Sequence, residues 1–119
     1  IDNLKYTIMK KLFLLLTVLF FTINCYTQIT IKHFNASWNN DNKVAWLTKL
    51  TDCDIKYYDI TKYPSLQKKY KVVVVPTIVL FLDGEEIKRY QADISFKMSA
   101  TKSEIQEAID EAVMGGFWF

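Results

Sequence analysis

Residues 72–84 have the sequence Val-Val-Val-Val-Pro-Thr-Ile-Val-Leu-Phe-Leu-Asp-Gly, and this stretch decides the fold. Four β-branched residues precede Pro76, an apolar run follows it, and Asp83-Gly84 ends it. Asp-Gly between two strand-like runs predicts a β-hairpin, because both turn residues must tolerate positive φ angles. A proline has no amide hydrogen to donate to a sheet, so we expect Pro76 at the first position of a buried strand or in a special turn.

The segments around this hairpin predict alternating strands and helices. We expect strands over residues 29–34, 55–60, the run after Pro76 and 86–90, and helices over residues 43–50, 64–70 and from 101 to 115. Residues 93–100 fit either an edge strand or an extended loop. The order β-α-β-α-β-β-α predicts an α/β fold, a four-stranded mixed sheet with helices on both faces.

The last helix has the clearest signals. Thr101 and Glu104 have the spacing of a capping box, in which a threonine and a glutamate satisfy the first amides of a helix. Ile105, Ala108 and Ile109 then repeat at helical spacing and give the helix one apolar face. Two glycines end it.

The N-terminal region has the pattern of a secretory signal peptide. Met9-Lys10-Lys11 precedes an apolar run over residues 12–23 that only two threonines interrupt. Such a run is shorter than the roughly 20 residues needed to span a bilayer. We therefore expect residues 1–27 to be upstream residues plus a signal peptide starting at Met9. Residues 28–119 would then be one domain exported to a bacterial periplasm or cell envelope.

Two processing routes remain open at the end of this leader. A signal peptidase would cut after Thr27 and leave Gln28 as the new terminus. Alternatively, Cys25 would be lipidated and would anchor the protein to a membrane.

The positive charge of the chain belongs to the leader. The whole sequence has 15 basic and 13 acidic residues, and the leader contains three of the basic and one of the acidic ones. The remaining domain has 12 of each, so its charge indicates neither nucleic acid nor an anionic membrane as a partner.

Two segments resemble the thioredoxin-like family. The stretch from Tyr70 through Pro76-Thr77 to the Asp-Gly turn resembles that family's cis-proline segment. Phe34, Ala36 and Trp38 resemble the approach to its Trp-Cys-Gly-Pro-Cys site. The resemblance implies a thioredoxin-like fold for residues 28–119 and a cis peptide bond before the proline.

The residues that would carry the family's dithiol chemistry are replaced. Both cysteine positions are asparagines, Asn39 and Asn42. His33 falls where the family places a buried acid, and Tyr57 falls near its lysine partner. Because a carboxamide can neither attack a disulfide nor be oxidised, this departure predicts a non-catalytic protein-binding or accessory module.

The resemblance also implies a groove that holds an extended polypeptide. Its residues in this sequence are Trp38, Asn39, Asn42, Val75, Pro76 and Thr77. Backbone pairing with Val75 would hold the peptide in the manner of an added strand.

We expect no metal ion and no cofactor. The polar run from Asn39 to Asn42 has one carboxylate among amides, so we interpret it as a helix cap and not as a cation site. His33 is the only histidine and has no partner for zinc, so we interpret it as a hydrogen-bonded core or edge residue.

Cys53 supports an alternative function, a thiol–disulfide oxidoreductase or isomerase that works with a single cysteine. It is the one cysteine left after cleavage, and Asp52 and Asp54 on either side should raise its pKa. The competing interpretation is a shielded small hydrophobic residue. The apolar end, Phe117, Trp118 and Phe119, fits either a tail packed on the core or an exposed docking segment.

Overall fold

The computed structural model describes residues 2–23 and 27–115. In chain order, its helices and strands are α1 (Asp2–Ile23), β1 (Ile29–Asn35), β2 (Asp54–Asp59), α2 (Pro64–Lys69), β3 (Thr77–Leu82), β4 (Glu85–Gln91) and α3 (Lys102–Val113). The four strands form one mixed sheet in the order β2-β1-β3-β4. β1 is parallel to β2 and antiparallel to β3, and β3 is antiparallel to β4. The predicted fold class is therefore confirmed.

Residues 72–84 include β3, one of the two central strands of this sheet. All six residues of β3 are buried, as expected for a strand covered on both faces. Pro76 lies directly before the strand, and the Val75–Pro76 peptide bond is cis. Asp83 and Gly84 have φ angles of 50° and 88°, which confirms the predicted turn between β3 and β4.

Side chains on the two faces of the sheet form two separate apolar clusters. Ile31 of β1 belongs to the larger cluster, with Leu47 from the connector after β1 and Ile109 of α3. Phe34 of β1 lies on the other face with Val75, in the segment that follows α2. Alternation along β1 therefore places its successive side chains in different cores.

Helix α3 begins where the sequence predicts. The Thr101 hydroxyl accepts a hydrogen bond from the Glu104 amide at 3.2 Å, the N-cap half of a capping box. Ile105, Ala108, Ile109 and Ala112 are buried on the face that packs against the sheet.

The connector between β1 and β2 differs from the prediction. Instead of an α-helix over residues 43–50, it contains two short 3₁₀ segments, Ser37–Asn42 and Ala45–Lys49. Ala36 occupies the N-cap position and makes no side-chain cap, so the asparagine run is not a helix cap as predicted. The break between the two segments is at Lys43 and Val44, whose ψ angles of 148° and 91° are not helical. Asn39, inside the first segment, also has a non-helical backbone (φ −111°, ψ 21°), and its side chain is buried.

The remaining differences are small. Residues 93–100 form an extended loop with a single bridge between Ala92 and Met98, so the loop alternative is correct. β2, α2 and β4 begin or end one residue from their predicted bounds, which is within the usual uncertainty of helix and strand ends.

Helix α1 continues without a break past Met9, and its side chains over residues 12–16 are exposed. Within the described residues, no helix has the length and apolar character needed to cross a membrane. Cys25 and the terminal Phe117, Trp118 and Phe119 lie outside the described part of the chain.

Candidate functional site

Three asparagines form a hydrogen-bonded group that we call the carboxamide cluster. Asn35 ends β1, and Asn39 and Asn42 lie in the first 3₁₀ segment. Asn39 Nδ2 donates to Asn35 Oδ1 at 3.0 Å, and Asn35 Nδ2 donates back to the Asn39 carbonyl at 3.0 Å. Asn42 Nδ2 donates to Asn39 Oδ1 at 2.9 Å. Asn39 is only 4% exposed, so these bonds satisfy polar atoms that have lost their contact with water.

Asn39 also joins two distant segments to the cluster. Its Nδ2 lies 3.1 Å from the Phe96 carbonyl and 3.4 Å from the Val75 carbonyl. One side chain therefore fixes β1, the cis-proline segment and the loop after β4 to one another. The predicted site residues Asn39 and Asn42 are therefore in contact, and their hydrogen bond has a structural role.

Trp38, next to the buried Asn39 in the sequence, lies on the protein surface. It is 64% exposed, and its ring meets that of Phe96 edge to face at a centroid distance of 5.1 Å. Ile94, two residues before Phe96, is fully exposed. We call Trp38 and Phe96 the aromatic surface. An exposed apolar group of this kind on a folded domain is typical of interaction sites.

The loop that carries Phe96 is held by its own polar side chains. Asp93 Oδ1 accepts hydrogen bonds from the amides of Ser95 and Lys97 and from the Ser95 hydroxyl. These bonds lower the pKa of the Asp93 carboxyl, with the Ser95 hydroxyl contributing most. The turn brings Phe96 to a positive φ of 63°, a conformation that costs a bulky residue energy.

The residues around the cis-proline are mostly buried. Val75 is in the smaller core cluster, and the Pro76 carbonyl accepts a hydrogen bond from the Ala92 amide at 3.1 Å. The Thr77 hydroxyl donates to the Val74 carbonyl at 2.6 Å. Of the six predicted groove residues, Trp38 therefore offers a large exposed side chain, whereas Val75, Pro76 and Thr77 support the segment from inside.

His33 is a buried, hydrogen-bonded histidine, as the sequence interpretation holds. Its Nε2 accepts a hydrogen bond from the Val44 amide at 3.2 Å, and its ring lies 5.3 Å from that of Tyr57. The pKa of His33 is lowered to about 4, mainly by burial and to a lesser extent by the nearby charge of Lys43. The ring is therefore neutral at pH 7.

Cys53 lies at the opposite end of the parallel strand pair. It precedes Asp54, which pairs with Thr30, whereas Asn35 pairs with Asp59. A separation of six strand residues is about 20 Å. Partial burial raises the pKa of the Cys53 thiol, and the charges of Asp54 and Asp52 raise it as well. Within residues 2–23 and 27–115, no group of three His, Cys, Asp or Glu side chains is placed to hold a metal ion.

Asn35 and Phe96 were not among the predicted site residues. The signal for Asn35 is its position at the end of a buried strand, where an asparagine needs an internal hydrogen bond. Phe96 had no local signal, because its role depends on contact with Trp38, far away in the sequence.

Comparisons with known proteins agree with this fold. No protein-family model matches the chain. Over 39 residues, 33% of the chain, the sequence is 44% identical to the chloroplastic thioredoxin Y1 of Arabidopsis thaliana, and this match spans 23% of that protein.

Solved structures match over most of the domain. A mutant thioredoxin from Halobacterium salinarum has a TM-score of 0.57 and 24% identity, over 72% of this chain and 74% of its own. Thioredoxin-2, described as a component of malaria parasite protein secretion machinery, has a TM-score of 0.58 and 19% identity, over 74% and 86%. A thioredoxin from Fasciola hepatica has a TM-score of 0.51 and 21% identity, over 71% and 80%. The chain therefore has the fold of the thioredoxins, and one 39-residue segment of it is similar to a thioredoxin sequence.

Proposed function

We propose that this protein is a non-catalytic thioredoxin-like module that binds a polypeptide through the aromatic surface beside the cis-proline. The observation that carries the proposal is the exposed Trp38–Phe96 pair, which Asn39 anchors to the cis-proline segment.

The carboxamide cluster supports a function without thiol chemistry. Disulfide exchange needs a thiolate to attack and a second sulfur to resolve the mixed disulfide. Asn39 and Asn42 supply neither, and their side chains are hydrogen-bonded to each other. The polar groups at this position hold the site in one shape and leave binding as its function.

The aromatic surface has the chemistry of a polypeptide contact. Tryptophan is among the residues that contribute most to binding when a partner covers it, because a large rigid ring loses little conformational entropy. Phe96 supports the indole of Trp38 from the side, and both rings are exposed. Together they offer an extended segment two or more apolar contacts.

The Val75 carbonyl offers the same partner a backbone contact. An amide group has two hydrogens, yet Asn39 Nδ2 faces three acceptors, at 3.0, 3.1 and 3.4 Å. The longest of these contacts is the one to Val75, so that carbonyl is the least satisfied. A peptide amide lying along the aromatic surface could take it over, as in the addition of a strand.

A one-cysteine redox enzyme is the alternative, and the position of Cys53 gives it little support. The thiol is about 20 Å from the cis-proline segment. Its raised pKa reduces the fraction of thiolate at neutral pH, and the thiolate is the reactive form.

We further propose that the module acts outside the bacterial cytoplasm. The basis is the leader pattern of Met9-Lys10-Lys11 and the apolar run after it, together with the exposed side chains of residues 12–16 in α1. Fusion of residues 1–30 to alkaline phosphatase, which is active only after export, tests this: Leu14→Arg should abolish activity, and a cytoplasmic, inactive fusion would contradict the proposal.

Binding is tested with a permanently unfolded, carboxymethylated polypeptide as the probe, followed by fluorescence anisotropy. Trp38→Ala should weaken binding at least about tenfold, the usual effect of removing a central tryptophan. Tyr57→Ala is the matched control, because it removes another half-exposed aromatic ring from a different surface. Equal binding by the native protein and the Trp38→Ala variant would contradict the proposal.

An insulin-reduction assay distinguishes the alternative. We expect no turnover with the native protein and slow labelling of Cys53 by a thiol reagent before unfolding. Turnover that Cys53→Ser abolishes would replace binding by redox catalysis as the function.

A further inference from the structure

A cavity of about 550 Å³ lies between β1, β2 and the connector that joins them, apart from the aromatic surface. Its volume is within the range of small-molecule sites in proteins, about 300–1,000 Å³. His33, Tyr57, Lys43, Thr48, Ser37 and Asp59 are among its lining residues.

The cavity follows from the unusual connector. The two 3₁₀ segments send Leu47 into the larger core, while Ala45 and Thr48 line the cavity with small side chains. A continuous α-helix with larger side chains would fill this part of the sheet face. Here the face stays open, and Tyr57 remains half exposed beside the buried ring of His33.

The rings of His33 and Tyr57 give the cavity an aromatic side. Their centroids are 5.3 Å apart and their planes are inclined by 58°. Because His33 Nε2 already accepts the Val44 amide and burial keeps the ring neutral at pH 7, the histidine contributes mainly ring surface to the cavity. An aromatic ligand is the chemical class that such rings favour, through stacked or edge-to-face contact.

The charges in the lining set the polarity of the ligand. Lys43 is close enough to His33 for its charge to lower the pKa of that ring, and within the described part of the chain it forms no ion pair. The opposite charge, Asp59, is already engaged: one carboxylate oxygen accepts the hydroxyl of Ser37, and the other accepts the hydroxyl and amide of Thr61. Asp59 keeps its negative charge, but both of its oxygens already accept hydrogen bonds, whereas the Lys43 ammonium has no ion-pair partner among the described residues.

We propose that this cavity binds a small aromatic carboxylate, with its ring against Tyr57 and its carboxylate on the Lys43 ammonium. A charge-assisted hydrogen bond to lysine distinguishes such a ligand from a neutral aromatic molecule of the same shape. The site is independent of the polypeptide surface, since none of its lining residues belongs to that surface.

A matched set of probes tests the proposal: 2-naphthoate, 2-naphthamide and 2-naphthylmethylamine, titrated into the ¹⁵N-labelled protein by NMR. We expect naphthoate to bind most tightly and to shift the amides of His33 and Val44. Lys43→Gln should weaken naphthoate about tenfold, and Tyr57→Ala should weaken all three probes. Lys43 and Tyr57 are exposed, so both variants should fold normally.

Two controls make the result specific. Lys49→Gln removes an exposed lysine from the end of the second 3₁₀ segment, outside the lining, and should leave naphthoate binding unchanged. Trp38→Ala should also leave it unchanged, so failure of the polypeptide proposal can be told from failure of this one. The inference is overturned if naphthoate does not bind, if the three probes bind equally, or if Lys43→Gln binds naphthoate as well as the native protein.

Discussion

The two halves of the connector between β1 and β2 use their polar side chains in opposite ways. In the first half, Asn39 is buried, and its carboxamide is bonded to Asn35, Asn42, Val75 and Phe96. In the second half, Lys43 and Thr48 line an open cavity. Buried polar groups that satisfy one another fix a shape, whereas polar groups around an open volume remain available to a ligand. One connector thus provides a rigid support for the aromatic surface and a separate cavity.

The largest expected effect on stability comes from removing the Asn39 side chain in the first half of the connector. Asn39→Ala would leave Asn35 Oδ1 without its partner in a buried site, and it would leave the Phe96 carbonyl and the Asn42 amide without theirs in a partly buried one. We expect a loss of about 4 kcal/mol in the free energy of unfolding, measured by urea denaturation. Asn40→Ala is the matched control, because Asn40 is the exposed neighbour, and it should change stability by less than about 0.5 kcal/mol. Similar effects of the two substitutions would show that the carboxamide cluster does not hold the site.

The difference between the two halves also separates what sequence could predict from what it could not. The hairpin at Asp83-Gly84 and the start of α3 at Thr101 depend on neighbouring residues, and both lie where predicted. The mixed four-stranded sheet was predicted from the β-α-β-α-β-β-α order and the handedness of β-α-β connections. The order of the strands within it was not, because it is set by pairing between distant segments, such as Phe34 with Thr77.

The role of Asn39 could not be read in the same way. An asparagine can cap a helix or bond to buried carbonyls, and both are common for this side chain. The choice depends on Val75 and Phe96, which are 36 and 57 residues away. Asn39 turns inward within the first 3₁₀ segment, and the extended residues Lys43 and Val44 separate that segment from the second one, which lies where the α-helix was predicted. The cavity beside the second segment follows from that change, and so it was hidden from the sequence as well.

The next largest expected effect is on the pH dependence of stability. It comes from His33 of β1, which lines the cavity and accepts the Val44 amide. The unfolded chain binds a proton at His33 below its ordinary pKa of 6.5, whereas the folded chain does so only near 4. Stability should therefore fall as the pH is lowered through this window, by about 3 kcal/mol from this residue. Urea midpoints at several pH values measure it.

The control for this prediction is His33→Gln, which keeps an acceptor for the Val44 amide but does not titrate. The difference between the two pH profiles isolates the histidine from the carboxylates that titrate in the same range. Parallel profiles for the two proteins would mean that His33 is not held neutral by the fold.

The smallest expected effect concerns the loop that Asn39 ties down. Phe96→Ala and Phe96→Gly both remove the ring that meets Trp38, and they differ only in the backbone freedom of residue 96. Because φ is 63° there, glycine should be more stable than alanine by about 1 kcal/mol, measured by urea denaturation. Both variants should nevertheless lose affinity for the unfolded polypeptide to the same extent, since the aromatic contact is gone from each. Equal stability would mean that the loop relaxes without its ring and that Asn39 alone does not hold its shape. Equal stability together with full binding would remove Phe96 from the aromatic surface and leave Trp38 as its single anchor.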